Sequence, residues 1–152
     1  MEVTLYTRRN CPLCDKAKGV LKEAGVVPRE IDIDTDPDLK RQYTDDVPVI
    51  FIDGAEAFRH KVTLDQMRVA MNGWRVVDGH LEKQFTFPDF AKALAFTNQI
   101  GAIAEELNHH PDIHLGWGKV RVITWSHDAN AITGRDYRLA ARIEALDKPA
   151  IA

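Results

Sequence analysis

The chain is poor in cysteine, in net charge and in long apolar runs. It has only two cysteines among 152 residues, which excludes the disulfide framework that holds many small secreted domains together. A formal net charge of −3 gives no general attraction to nucleic acid or to an acidic membrane surface. No apolar run approaches the roughly 20 residues that span a bilayer. The first residues lack the basic and apolar regions of a signal peptide, so we expect a cytoplasmic protein.

The chain also lacks a Gly/Ser-rich or Pro-rich linker, although the pattern of predicted elements changes near Gly73. In the first half, alternating β-formers and amphipathic stretches predict the order β-α-β-α-β-β-α. The predicted strands of this half cover residues 2–6, 29–34, 47–52 and 57–59, and the predicted helices cover 15–24, 37–43 and 63–71. We therefore predict an α/β domain at residues 1–72.

The second half predicts the order β-β-α-β-β-α, which has no βαβ unit. Its predicted strands cover residues 74–77, 81–87, 113–117 and 119–125, and its predicted helices cover 88–108 and 133–146. The long helix has an approximate apolar stripe made of Phe90, Leu94, Ile100, Ile103, Ala104 and Leu107. We predict an α+β domain at residues 73–152, with an antiparallel sheet covered by helices on one face.

Both cysteines lie in one motif, Cys11-Pro12-Leu13-Cys14, between a predicted strand and a predicted helix. At a helix N-terminus, unpaired N–H groups and the helix dipole favour the thiolate form of the first cysteine. The second thiol lies about one turn later and can resolve a mixed disulfide. The pattern predicts thiol–disulfide chemistry, with Arg8 and Arg9 adding positive charge nearby. The alternative is half of a zinc site that borrows histidines from the second half.

Residues 1–72 resemble the glutaredoxin-like proteins of the thioredoxin superfamily. The matching segments are Tyr6-Thr7-Arg8, Cys11-Pro12-Leu13-Cys14, Val47-Pro48-Val49 and Asp53-Gly54. The resemblance implies a thioredoxin-like domain in which Cys11 is the nucleophile, Cys14 is the resolving thiol and Pro48 is the cis-proline beside them. Arg8 then supports the redox site, and a thiol reductant is an implied partner. Residues 55–59 lack the Gly-Gly and acidic residues of glutathione-binding members, which argues against glutathione as the electron donor.

Four of the six histidines, His109, His110, His114 and His127, fall within nineteen residues. Imidazoles titrate near neutrality, so this density indicates proton transfer or metal ligation. His109 and His110 would point about 100° apart on a helix, which suits two atoms of a flat ligand better than one metal ion. His127, at the end of a strand, can close the site from the opposite side. Metal ligation by His109 with His114 or His127 is the alternative.

Neighbouring residues suggest supporting roles. Glu105 lies four residues before His109 on the same helical face, so we expect its carboxylate to raise the pKa of His109 or to set its tautomer. We expect Trp117 and Trp125 to pack at the core or its rim, and His80 to be solvated.

The pattern Glu105-x3-His109-His110-Pro111-x5-Trp117-x9-His127-x8-Asp136 resembles that of the pterin-4a-carbinolamine dehydratases, also called 4a-hydroxytetrahydrobiopterin dehydratases. The resemblance covers residues 73–146. It implies a four-stranded antiparallel sheet with helices packed on one face. It also implies loss of water from a 4a-hydroxytetrahydropterin, giving quinonoid dihydropterin, with no metal or organic cofactor. The implied partners are the pterin substrate and an aromatic amino acid hydroxylase, and the implied assembly is a homo-oligomer.

The resemblance also assigns roles by position. His109, His110 and His127 are the implied catalytic and pterin-contacting residues. Pro111, Ser126 and Asp128 lie in the implied substrate-binding stretches. Glu105 is an implied support of catalysis, and Asp136 a support that caps or tethers the last helix.

Together these patterns predict a fused protein in which a dehydratase follows a redox module. The alternative is a thiol–disulfide oxidoreductase whose C-terminal half is a pterin-sensing or dimerisation module.

Overall fold

The computed structural model describes residues 1–148, so residues 149–152 of the second predicted domain lie outside the described part. The chain forms two compact units, one from Met1 to Met71 and one from Asn72 onward. Each unit contains a four-stranded sheet. Within residues 1–148, no helix combines the length and the apolar character needed to cross a membrane.

The first unit has the element order that the sequence predicts. Its elements are strand β1 (Val3–Thr7), helix α1 (Pro12–Glu23), β2 (Arg29–Asp32), α2 (Pro37–Tyr43), β3 (Val49–Ile52), β4 (Ala55–Arg59) and α3 (Leu64–Met71). The strand order is β2-β1-β3-β4, in which β1 pairs in parallel with β2 while β3 pairs antiparallel with β1 and β4. This α/β arrangement confirms the predicted thioredoxin-like character of the first unit.

Side-chain caps explain where the elements of this unit differ from the prediction. Helix α1 begins at Pro12 rather than at residue 15, because Cys11 caps it and proline suits the first helical position. Strand β2 ends at Asp32 rather than at residue 34, because the Asp32 carboxylate accepts a hydrogen bond from the Asp34 amide at 2.9 Å and starts a short 3₁₀ turn. The first cap fixes the start of the helix that carries Cys14. The second fixes the end of β2, the strand that pairs with β1.

The second unit also follows the predicted element order. Its elements are β5 (Arg75–Val77), β6 (His80–Thr86), α4 (Phe90–Leu107), β7 (Asp112–Gly116), β8 (Lys119–Thr124) and α5 (Gly134–Glu144). The strand order is β5-β6-β8-β7, and the three neighbouring pairs are antiparallel. The predicted antiparallel pairing of this half is thus present in the sheet.

Aromatic packing joins the long helix to the sheet of the second unit. The Phe96 ring of α4 is 2% exposed and lies 4.9 Å from the Phe85 ring of β6 and 5.0 Å from the Phe87 ring, measured between centroids. Lys83, two residues before Phe85 and therefore on the same face of β6, donates to Glu144 of α5 at 2.5 Å. Helices α4 and α5 thus both contact the face of β6 that carries Phe85.

Three apolar side chains lie further from the core than the sequence predicts. Phe90 and Leu94 are 46% and 40% exposed, so the prediction that they belong to the buried stripe of the long helix was wrong. Asp89 caps this helix by accepting from the Lys92 amide at 2.8 Å, and Phe90 and Leu94 lie one turn apart along an outer face. The expected packing of Trp117 was also wrong: it is 70% exposed because it lies in the two-residue connection between β7 and β8.

We expect the substitution Phe96→Ala to destabilise the second unit by about 3–5 kcal/mol, because it removes a buried ring from between two others. The matched substitution Phe90→Ala, on the exposed side of the same helix, should cost less than about 1 kcal/mol. The three tryptophans, Trp74, Trp117 and Trp125, all lie in the second unit, so urea unfolding followed by tryptophan fluorescence measures it. Equal losses from both substitutions would contradict this description of the core.

Candidate functional site

A buried carboxylate, Asp136, organises the histidine-rich end of the second unit. Its side chain is fully buried and accepts four hydrogen bonds. Oδ1 accepts from His109 Nε2 and from Thr124 Oγ1, each at 2.6 Å. Oδ2 accepts from Ser126 Oγ and from the Thr133 amide, each at 2.9 Å. Both oxygens therefore have partners, as a buried charge requires.

The balance of burial and hydrogen bonding fixes the charge of Asp136. Burial alone raises the pKa of this carboxyl group. The hydrogen bonds from Thr124, His109, the Thr133 amide and Ser126 outweigh burial, and the pKa lies below its usual value. Asp136 is consequently ionised near neutral pH.

Asp136 also has the capping role expected from the sequence. Thr133 caps helix α5, and Asp136 reaches back to the Thr133 amide to complete a capping box. The pattern Thr133-x-x-Asp136 is visible in the sequence and could have identified Thr133 beforehand. Thr124 carries no such signal, because its role follows from the end of β8 lying beside the start of α5.

His109 reaches Asp136 because helix α4 ends abruptly. Asn108 adopts a left-handed conformation with φ 51° and ψ 43°, and its amide bonds back to the carbonyls of Ala104 and Glu105. The next residue therefore leaves the helical path, and the His109 side chain is only 10% exposed. His109 Nε2 is committed to the Asp136 carboxylate, so proton exchange with any other partner must use Nδ1.

The same helix end changes the expected partner of Glu105. Glu105 Oε2 lies 2.6 Å from Nε2 of His110, not beside His109. The expectation that Glu105 supports His109 was wrong, because the four-residue spacing applies only while the chain stays helical and the helix ends at Leu107. The side chains of His110 and Glu105 are 56% and 78% exposed, so this pair is open to solvent.

His127 lies in the segment that follows β8. Thr124 and Ser126 point to Asp136, whereas the alternate residues Trp125 and His127 stack with ring centroids 4.4 Å apart. The backbones of Ser126 and Ala131 form an isolated bridge that closes this segment. His127 is exposed, while Ser126 is buried, so two adjacent residues predicted to bind substrate point to different surroundings.

The remaining residues predicted for this site lie at its edge. Pro111 is half-buried directly after the histidine pair. Asp128 is exposed and accepts from Arg135 at 2.5 Å, which lowers the pKa of its carboxyl group. Across residues 1–148, no three histidine, cysteine, aspartate or glutamate side chains are grouped so that they could hold a metal ion.

The first unit contains a second candidate site, at the start of helix α1. Cys11 and Cys14 are joined by a disulfide bond. Cys11 is partly exposed, whereas Cys14 is fully buried in a cluster that also contains Tyr43 and Val47. The Val47–Pro48 peptide bond is cis, as the glutaredoxin resemblance implies. Of the two sulfur atoms, only that of Cys11 belongs to a residue with solvent access.

Arg8, expected to support this redox site, is held by the neighbouring loops. Its guanidinium group contacts Asp34 at 2.6 Å and 3.2 Å, and it donates to the Thr44 carbonyl at 3.1 Å. The hydrogen bond from Arg8 lowers the pKa of Asp34. The positive charge of Arg8 is thus matched by a carboxylate, and the side chain ties the end of β1 to two other segments.

Comparisons with known proteins find both halves of the chain. The family model described as pterin 4 alpha carbinolamine dehydratase matches residues 59–146, and the model of a glutaredoxin-like domain matches residues 2–72. A Rickettsia canadensis protein that bears the name pterin-4-alpha-carbinolamine dehydratase is 48% identical over 49% of this chain and 69% of its own length. A Rubrobacter xylanophilus protein of the same name is 40% identical over 55% of this chain and 78% of its own length.

Two solved structures from Brucella melitensis are also similar. One, described as a transcriptional coactivator/pterin dehydratase, has a TM-score of 0.48 and 31% identity, covering 55% of this chain and 95% of its own. The other, a glutaredoxin, has a TM-score of 0.36 and 28% identity, covering 48% of this chain and 82% of its own.

We expect Asp136→Asn to lower the free energy of unfolding of the second unit by about 3 kcal/mol at pH 7, because an ionised acceptor of four hydrogen bonds is lost. A carboxyl group with a lowered pKa stabilises the fold above its unfolded pKa, about 3.9 for aspartate, and this stabilisation is lost as the pH falls through the folded value. The difference from wild type should therefore shrink below about pH 4, as urea titrations at several pH values can measure.

The matched control is Asp128→Asn, which alters an exposed carboxylate in the same region. Its effect on the urea midpoint at pH 7 should be small. A loss of stability from Asp136→Asn that stays constant down to pH 3 would contradict the assigned charge.

Proposed function

The chain belongs to the pterin 4 alpha carbinolamine dehydratase family, a family of hydro-lyases, and we propose that its second unit removes water from a 4a-hydroxytetrahydropterin. The product of this reaction is quinonoid dihydropterin. The observation that carries the proposal is that two adjacent imidazoles, His109 and His110, each hold a separate carboxylate.

The reaction needs two proton transfers. An acid must protonate the departing 4a-hydroxyl group, and a base must accept the proton from N5. Of the three histidines in the dehydratase pattern, His110 and His127 are exposed, so a pterin in solution can reach their imidazoles. We assign the two transfers to them, and each positioned acid or base of this kind contributes roughly 10²–10⁴-fold to a rate.

The carboxylates prepare the two adjacent imidazoles for different tasks. Glu105 accepts from His110 Nε2, which leaves Nδ1 to exchange a proton with the substrate. Asp136 holds His109 inside the fold, so His109 orients the chain and can offer only Nδ1 to the pterin. In this proposal the protons pass between imidazoles, substrate and water, and no metal or organic cofactor takes part.

We expect His110→Ala to lower the rate of dehydration by about a hundredfold or more, because the variant loses a positioned proton-transfer group. The measurement is the absorbance change as freshly generated 4a-hydroxytetrahydropterin loses water. The fold should survive, since His110 is exposed and its one carboxylate partner is also exposed.

The matched control is His114→Ala, which removes another exposed histidine, from strand β7. This variant should retain the wild-type rate. If His110→Ala dehydrates the substrate as fast as His114→Ala does, the assignment of His110 as a catalytic residue is contradicted. That result would favour a pterin-sensing or dimerisation role for the second unit.

A second activity is favoured by the unequal exposure of the two cysteines. We propose thiol–disulfide exchange in which the thiolate of a small reductant attacks Cys11 Sγ. The Cys11–Cys14 bond breaks, and Cys14 leaves as a thiolate that takes up a proton. A second reductant thiol then attacks the reductant sulfur of the mixed disulfide and releases Cys11. Two thiols are oxidised to one disulfide for each protein disulfide reduced.

We expect Cys14→Ser to trap this exchange as a mixed disulfide at Cys11 when the protein is treated with an oxidised small-molecule disulfide. Mass spectrometry should show one added reductant moiety per chain. The reciprocal variant Cys11→Ser should form little mixed disulfide, because Cys14 is fully buried. Equal labelling of the two variants would contradict the assignment of Cys11 as the attacked sulfur.

A further inference from the structure

Three aromatic rings of the second unit form a nearly parallel stack. The His80 and Trp125 rings have centroids 3.9 Å apart and an interplanar angle of 10°. The Trp125 and His127 rings have centroids 4.4 Å apart and an angle of 17°. Trp125 therefore lies between two imidazoles, and His80, expected to be solvated, is half-buried against it. That expectation for His80 was wrong.

Strand register explains why His80 meets Trp125. Leu81 of β6 pairs with Thr124 of β8 in the antiparallel ladder. His80 is one residue before Leu81 and Trp125 one residue after Thr124, so the two residues come opposite each other. Their side chains leave the strands on the same side and come into direct contact.

The backbone on both sides of Trp125 is anchored from the other face. Thr124 and Ser126 both donate to the buried Asp136 carboxylate. Trp125 consequently projects from a segment that cannot easily turn, and its indole offers one face to His80 and the other to His127. Among these three rings, His127 is the one on the exposed connection that follows β8.

We propose that His80 is a positioning residue for His127, acting through the indole of Trp125. His80 backs the indole on one face, and the indole then fixes the plane of the His127 imidazole on the other. Parallel packing of flat rings is favourable at these separations. The inference rests on the proposed proton-transfer role of His127, because a fixed ring plane matters only where that ring must meet a substrate atom.

The test compares ring-less and ring-bearing replacements of His80. His80→Ala should lower kcat for dehydration by about tenfold while KM changes by less than about twofold, because the reacting ring is less well oriented. His80→Phe restores a flat ring without a titrating group, and it should bring kcat back to within about twofold of wild type. His80→Thr, which suits a strand, is a second ring-less variant in case the alanine variant folds poorly.

An NMR measurement follows the stack without using activity. Ring carbon-bound protons of His127 lie over the indole and should show an upfield ring-current shift. This shift should shrink in His80→Ala and His80→Thr, persist in His80→Phe, and vanish in Trp125→Leu. His114→Ala should leave both the shift and kcat unchanged.

The outcomes separate this inference from the proposed function. Wild-type kcat and an unchanged His127 shift in both ring-less variants would overturn it, and so would a His80→Phe variant that behaves like His80→Ala. If His127→Ala retains the full rate, the catalytic role of His127 fails. The shifts in the His80 variants would still show whether His80 holds the ring of His127.

Discussion

The architecture of the second unit depends on one buried carboxylate that accepts hydrogen bonds from three separate chain segments. Asp136 completes the cap of α5, holds the end of β8 through Thr124 and Ser126, and binds His109 beyond the end of α4. An ionised group in this position would be very costly without partners. With hydrogen bonds to a charged acceptor contributing about 1.5–3 kcal/mol each, the same group favours one arrangement of all three segments. The positions of the histidine side chains at this site therefore depend on the fold around Asp136.

Local patterns in the sequence predicted much of the fold, because they act over a few residues. Helix α2 begins at residue 37, as predicted, because Asp36 caps it and proline suits the first helical position. The cis Val47–Pro48 bond was instead implied by the resemblance to the glutaredoxin-like proteins. Element order in both units was predictable from local patterns. The periodic spacing of apolar residues that predicts a helix or a strand depends on residues close together in the chain and not on distant segments.

The errors came from places where the local rule stops or where distant segments meet. Glu105 was assigned to the wrong imidazole because the left-handed Asn108 ends the helix between them. Trp117 was expected to pack, but it lies in a two-residue connection between strands and is 70% exposed. The contact of His80 with Trp125 depends on the register of β6 against β8, which no single-strand pattern contains.

Both candidate sites combine an outer reactive group with an inner one of the same chemistry. In the first unit, Cys11 is partly exposed and Cys14 is fully buried. In the second, His110 is open to solvent and His109 is enclosed. The outer member can meet a reagent, while the inner member is fixed by its surroundings and holds the chain that carries both.

The left-handed turn at Asn108 makes the length of α4 part of the chemistry. The position at which the helix ends determines that His109 points inward and His110 points outward. Insertion or deletion of a single residue in the last turn would rotate the following chain by about 100° and exchange or misdirect the two rings. Substitutions on the exposed face of α4 other than at Glu105 are thus compatible with the site, whereas a change in the number of residues before Asn108 is not.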